Sequence, residues 1–161
     1  AMLCAQPDCF SSRRPNSASI GTRAYQMALY VVFESNLQML ADNPTLYNMY
    51  PDCRDYIASC PVNWDETRVL AAEFGEYTIV ARRSGNKWYI GGITNETARD
   101  IDVKLDFLAE GLSYNATSFT DGINSSVQAM DYRKESTRLS RNNTIRIHMV
   151  RNGGYAAVLE P

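Results

Sequence analysis

The chain predicts a mainly β fold: a C-terminal antiparallel β-sandwich of about eight strands, preceded by a helix–strand–helix piece with parallel α/β texture. Three features of the 161-residue sequence carry this. After Trp64 the apolar residues recur with period two, as on half-buried strands. Turn signals divide that region at short intervals, the spacing expected of a sandwich. Before it, the pattern is helical and apolar on nearly every face, and the two textures meet in Pro61-Val-Asn-Trp-Asp-Glu-Thr-Arg-Val-Leu70.

Residues 1–21 are rich in Ser, Pro, Asn and Arg without an apolar period, and read as a loop. The first residues, Ala-Met-Leu-Cys-Ala-Gln, suit a truncation or a tag remnant better than a natural start. A helix is expected over 22–34: Ala24, Met27, Ala28 and Val31 follow helical spacing, while Leu29, Tyr30, Val32 and Phe33 fill the other faces. Leu37 to Ala41 reads as a short buried strand closed by Asp42-Asn43-Pro44, with an Asn cap and a Pro at the first position of the next helix. That helix, over 44–60, restarts at Pro51 and stops at Pro61. Helix, buried strand and helix form a parallel α/β unit that cannot close a sheet alone, so its partners are expected outside this chain.

In the second region Ile101, Val103 and Leu105 alternate with Asp100, Asp102 and Lys104, and Ile145, Ile147 and Met149 with Arg146 and His148. Two packed sheets over 66–159 are expected, with Ile101, Val103, Leu105, Ile145 and Ile147 facing inward. Turns fall at Gly75-Glu76, Ser84-Gly-Asn86, Glu110-Gly111, Asp121-Gly122, Arg141-Asn-Asn143 and Asn152-Gly-Gly154. The apolar helix must be covered by the sandwich or by a second copy. Covering ~400 Å² at about 25 cal/mol per Å² contributes roughly 10 kcal/mol before the costs of association.

Composition narrows the function. Hydrophobic residues make up 45% and aromatics 11%, normal for a folded domain, and a net charge of -2 gives no field to recruit nucleic acid or an anionic membrane. No apolar stretch approaches the ~20 residues that cross a bilayer. Cys4, Cys9, Cys53 and Cys60 lack the close pairs of a zinc site. On one continuous helix Cys53 and Cys60 stand about 10 Å apart, too far for a disulfide, whereas Cys4 and Cys9 sit in flexible-looking text that leaves them free to bridge.

The tempting polar and aromatic residues have plain readings. Asp65 and Glu66 are adjacent on a strand and point to opposite faces, which spoils the paired-carboxylate geometry of glycoside hydrolysis. His148, the sole histidine, belongs to the polar side of its strand and has no second ligand or nucleophile motif beside it. Trp64, Trp88, Tyr89 and Tyr155 suit either sugar stacking or the sandwich core.

Several blocks carry a family resemblance: Thr22-Arg-Ala-Tyr-Gln-Met-Ala-Leu-Tyr-Val-Val-Phe-Glu-Ser35, Leu37-Gln-Met-Leu-Ala-Asp-Asn-Pro44, Lys87-Trp-Tyr-Ile-Gly-Gly-Ile-Thr-Asn95 and Asn152-Gly-Gly-Tyr-Ala-Ala157. In this order they resemble the C-terminal part of glycoside hydrolase family 97. The resemblance implies that residues 1–61 end a (β/α)8 catalytic barrel and that 62–161 form a C-terminal β-sandwich domain. It implies a bacterial, periplasmic or extracellular parent that cleaves α-glucosidic or α-galactosidic bonds, with α-linked oligosaccharides such as those from starch as expected substrates. The parent's catalytic carboxylates and calcium-binding glutamates would precede Ala1, so this chain alone should be inactive and holds no catalytic or metal residue. Glu34 and Asp42 then lie near the mouth of a barrel strand, where substrate contacts occur. Asp42 is the candidate for such a contact, with helix capping beside Asn43 as its other role. The sequons at Asn95, Asn115, Asn124 and Asn142 would be turn residues.

Two other functions compete with that of a supporting fragment. A carbohydrate-binding module needs an exposed row of Trp88, Tyr89 or Tyr155, and an oligomerisation domain needs an apolar patch at a two-fold contact.

Overall fold

A computed structural model describes residues 2–11 and 18–161. In chain order it contains β1 (Cys4–Ala5), a 3-10 turn (Pro7–Cys9), β2 (Ser19–Ile20), α1 (Arg23–Val32), α2 (Pro44–Met49) and α3 (Pro51–Ser59). Eight strands follow: β3 (Glu66–Glu73), β4 (Tyr77–Ser84), β5 (Lys87–Thr94), β6 (Arg99–Lys104), β7 (Ser113–Asp121), β8 (Tyr132–Ser140), β9 (Thr144–Met149) and β10 (Gly154–Glu160). Six form one antiparallel sheet in the order β3-β4-β5-β10-β7-β8, and β6 pairs with β9 in a second layer.

The large sheet is covered on both faces, as its sequence requires. Its central strands carry apolar residues at consecutive positions: Ile79-Val80-Ala81, Trp88-Tyr89-Ile90 and Tyr155-Ala156-Ala157. Alternate members face opposite ways. Ile79, Ala81, Trp88, Ile90, Tyr155 and Ala157 join Val103, Leu105, Ile147 and Met149 in the core beneath β6 and β9. Val80, Tyr89 and Ala156 join Met27, Ala28, Val31, Tyr56 and Ile57 in a second core beneath the helices. The five residues expected to face inward do so: Val103, Leu105 and Ile147 are buried, while Ile101 and Ile145 pack at the margin. Gly85 holds the β4–β5 turn at φ +59°, a backbone that side chains disfavour.

Three expectations need correction. Leu37–Ala41 is not a buried strand: it has no ladder partner, and Leu37 and Met39 are 77% and 81% exposed. A parallel strand needs neighbours to satisfy its backbone, and among the described residues no strand pairs with it. Residues 2–11 are more than a loop, since β1 pairs with β2 in parallel and Met2, Cys4 and Gln6 are buried. Residues 12–17, also expected to be loop, lie outside the described residues. Asn115 is an exposed position within β7 rather than a turn.

The expected helices form over Arg23–Val32, Pro44–Met49 and Pro51–Ser59. Pro51 divides the second from the third because it cannot supply a hydrogen bond to the preceding turn. Of the two ways to cover α1, the chain uses its own sandwich: Met27, Ala28 and Val31 are fully buried against the sheet.

Candidate functional site

The most constrained place in the molecule is the seat of α1 on the six-stranded sheet, where the helical and β regions meet. It is fixed at both ends and in the middle. At the N-terminus Thr22 caps the helix, its hydroxyl oxygen accepting from the Tyr25 N–H at 3.1 Å. Two backbone donors at this end go to sandwich loops: Thr22 N–H to the Asn152 carbonyl at 2.9 Å and Arg23 N–H to the Ala129 carbonyl at 2.8 Å.

Asp121, at the end of β7, binds that cap to the sheet. One carboxylate oxygen accepts from the Thr22 hydroxyl at 2.6 Å, and the other from the N–H groups of Val150 at 2.9 Å and Gly154 at 3.2 Å. Burial pushes this carboxyl up to about 6, against the opposing pull of its three donors. A Cβ on Gly153 would overlap this carboxylate, and one on Gly154 would overlap the Tyr25 backbone, so both positions require glycine.

In the middle, Gly91 and Ala156 let the helix approach the sheet. A Cβ on Gly91 would stand 2.8 Å from the Val31 Cβ and 2.9 Å from the Ala28 carbonyl oxygen. At the C-terminus the buried Arg82 guanidinium donates to the Val32 carbonyl at 3.2 Å and to Glu34 at 3.0 Å, a cation placed where the helix carbonyls are unsatisfied.

A second set of contacts holds α2, α3 and the N-terminal segment. Arg23 is buried, donates to the Met2 carbonyl at 2.9 Å and lies 3.9 Å over the Tyr50 ring, with the Tyr132 ring, edge-on to Tyr50, 5.2 Å away. The Tyr132 hydroxyl donates to the Asp52 carboxylate at 3.0 Å, and burial together with Cys53 and Asp52 raises that phenol well above its usual range. Gln6, fully buried, donates to the carbonyls of Ser125 at 2.9 Å and Arg151 at 3.0 Å.

The residues singled out in the sequence are scattered around this seat. Asp42 is exposed, has φ +87°, and accepts the backbone N–H groups of Met2 and Leu3. Asn43 alone caps α2, accepting from Leu46 N–H at 3.1 Å. Asp65 accepts from Gly85 N–H at 2.7 Å, and Glu66 bridges Arg68 and Arg83, which lower its pKa. His148 is exposed and bonds Asp100 at 2.9 Å on the outer side of the β6–β9 layer. Trp88, Tyr89 and Tyr155 are 4%, 3% and 7% exposed and form no sugar-stacking platform. Trp64 is half-buried against Tyr89.

Cys4, Cys9, Cys53 and Cys60 are free. Among the described residues no three His, Cys, Asp or Glu side chains converge to hold a metal ion. Among the described residues no helix is long and apolar enough to cross a membrane.

Five large apolar side chains of the helical region, Phe33, Leu37, Met39, Leu40 and Met49, are exposed. Sequence reasoning missed Asp121, Arg82 and Arg23. The available signal was an isolated Asp at the end of an otherwise uncharged strand, ahead of the Gly153-Gly154 pair.

A six-stranded antiparallel sheet covered by helices on one face and by β6 and β9 on the other defines a β-sandwich module. The family model described as "Glycosyl-hydrolase 97 C-terminal, oligomerisation" matches residues 63–160. The chain belongs to glycoside hydrolase family 97, of which it is a C-terminal part. It is 46% identical over 86% of its length to a retaining alpha-galactosidase of Bacteroides thetaiotaomicron, and 34% identical over 91% to a probable retaining alpha-galactosidase of Streptomyces bingchenggensis. It spans 21% of the length of each. Among solved structures it is similar to a family 97 enzyme of Pseudoalteromonas sp. strain K8 in complex with panose, with a TM-score of 0.83 and 33% identity over 87% of this chain and 22% of that one.

Proposed function

We propose that this chain is the supporting end of an α-galactoside-hydrolysing enzyme, in which the sandwich grips α1 and so holds the last elements of the catalytic barrel in place. The three-point seat of α1 carries the reading. Asp121, the Gly91–Ala156 contact and Arg82 fix the helix on the sheet, while Phe33 at its C-cap and Leu37, Met39 and Leu40 in the segment after it stand exposed for a partner of barrel type. The α-galactoside preference over the α-glucoside one is supported by the higher identity to the Bacteroides relative, 46% against 33% for the panose-bound enzyme. Catalysis, calcium binding and any substrate contact beyond Asp42 then belong to residues outside this chain, and the enzyme works in the bacterial periplasm or outside the cell. The module also carries contacts between copies, in keeping with the oligomerisation role in the family description.

The test is an assay of the parent enzyme and of this chain on aryl α-galactosides and α-glucosides. The parent should turn over the galactoside faster, and the chain alone should turn over neither. Gly91→Val in the parent should shorten its activity half-life on warming. Unchanged thermal inactivation in that variant would refute the supporting role, and faster glucoside turnover would refute the specificity.

A further inference from the structure

The six-stranded sheet ends in two edges of opposite character. β8 carries Arg133, Lys134, Glu135 and Arg138, all exposed, the charge pattern that keeps an edge from pairing with another chain. β3, the other end strand, carries Val69-Leu70-Ala71-Ala72, followed by a fully exposed Phe74 at the hairpin tip. Val69 is itself two-thirds exposed. The β3 edge thus leaves a row of backbone groups unpaired and has no charge between Arg68 and Glu73 to protect it.

We propose that β3 is a self-association edge, pairing antiparallel with β3 of a second copy about a two-fold axis between Leu70 and Ala71, so that two six-stranded sheets become one. The inference rests on the reading that this module mediates contacts between copies, and adds the surface and register. A two-fold antiparallel pair sets residue i opposite residue j with a constant sum, and opposed side chains must share a face. In β3 the bulge between Val69 and Ala71 shifts the alternation by one. Val69 and Ala72 oppose Val80 and Thr78, so both lie on the helix-covered face; Arg68 and Glu73 oppose Ala81 and Tyr77, so both lie on the other.

One register matches these faces on both sides of the bulge. It sets Val69 opposite Ala72 of the second copy and Arg68 opposite Glu73 of the second copy, giving two symmetric ion pairs around an apolar centre. Arg68 now bonds Glu66 at 2.7 Å in its own strand and is more than half exposed, which leaves its guanidinium able to reach a second carboxylate. A straight strand of this sequence would oppose Arg68 to a residue on the wrong face, so the bulge that distorts this edge also makes it self-complementary.

Sedimentation equilibrium of the 161-residue chain and four variants tests the proposal, with circular dichroism confirming that each is folded. Val69→Lys should render the dimer monomeric. Arg68→Glu should raise the dimer Kd at least tenfold, and Arg68→Glu with Glu73→Arg should restore it to within about threefold. Leu37→Ser with Met39→Ser and Leu40→Ser, on the flank assigned to the barrel, should leave the dimer intact. A monomeric starting chain, a dimer unaffected by Val69→Lys, a missing rescue, or loss of dimer only in the Leu37, Met39 and Leu40 variant would each overturn the assignment to β3. None of these outcomes touches the supporting role of the α1 seat, which Gly91→Val tests separately.

Discussion

Asp121 makes the α1 seat sensitive to pH, and its sign runs opposite to that of most paired carboxylates. Its pKa rises from 3.8 to about 6 on folding because the carboxylate is buried. The folded chain therefore holds this proton more tightly than the unfolded one, and the resulting stabilisation is complete below 3.8 and lost as pH rises through about 6. At ~1.4 kcal/mol per pH unit the interval corresponds to about 3 kcal/mol, of which roughly 2 kcal/mol is recovered on going from pH 7 to pH 4. Asp121→Asn removes the titration but preserves the shape, with its carbonyl oxygen able to accept from Val150 and Gly154 and its amide able to donate to Thr22. The difference in urea unfolding free energy between wild type and Asp121→Asn cancels the other carboxylates and isolates this one. His148, whose charge acts on Asp121 in the opposite direction, is present in both proteins. Wild type should gain about 2 kcal/mol on the variant between pH 7 and pH 4. A difference that stays constant within ~0.5 kcal/mol, or falls on acidification, would refute the account of a buried carboxylate at the helix cap.

Three further outcomes follow from the same packing. Gly91→Val should lower the unfolding free energy by about 1–3 kcal/mol, since its Cβ would meet the Ala28 carbonyl, which is backbone and cannot swing aside; chemical denaturation measures it. Arg82→Met should cost about 1–3 kcal/mol through the stranded Val32 carbonyl, yet a double-mutant cycle with Glu34→Gln should give a coupling below ~1 kcal/mol, because Glu34 is largely exposed. At pH 8 a thiol reagent should modify only Cys9 quickly: Cys4, Cys53 and Cys60 are buried, and that burial raises their pKa values to about 12, 11 and 12, so none carries the reactive thiolate. Fast labelling of a second cysteine in the native protein would count against the packing of α1 and α3.

The strands were legible because one face of each outer pair meets water. Asp100, Asp102 and Lys104 interleaved with Ile101, Val103 and Leu105 state both the period and the inward face. The division into six strands and two was less open, since Trp88-Tyr89-Ile90 is apolar at consecutive positions and such a run fits a doubly covered strand or part of a helix. Leu37–Ala41 shows the limit in the other direction. Its sequence is that of a buried strand, but a strand is a property of its neighbours, and without them the same residues stand in solvent. Asp121 was hidden for a different reason: an Asp before a Gly reads as a turn, and only the fold brings Thr22, Val150 and Gly154 to its two oxygens.

The packing of α1 runs against its place in the sequence. By order it precedes residues 63–160, which the family model matches, yet its buried face meets β5 and β10, and its cap is completed by the loop carbonyls of Ala129 and Asn152 together with Asp121. A helix held this way cannot shift without breaking a buried carboxylate site at one end and an arginine clamp at the other. On the proposed function, the sandwich therefore acts on the barrel through α1 rather than through a surface pressed against it. Loss of the seat should therefore be felt in the barrel as loss of stability, while residues on the far face of the sandwich, such as Asp102 and Lys104, can change without consequence for the enzyme.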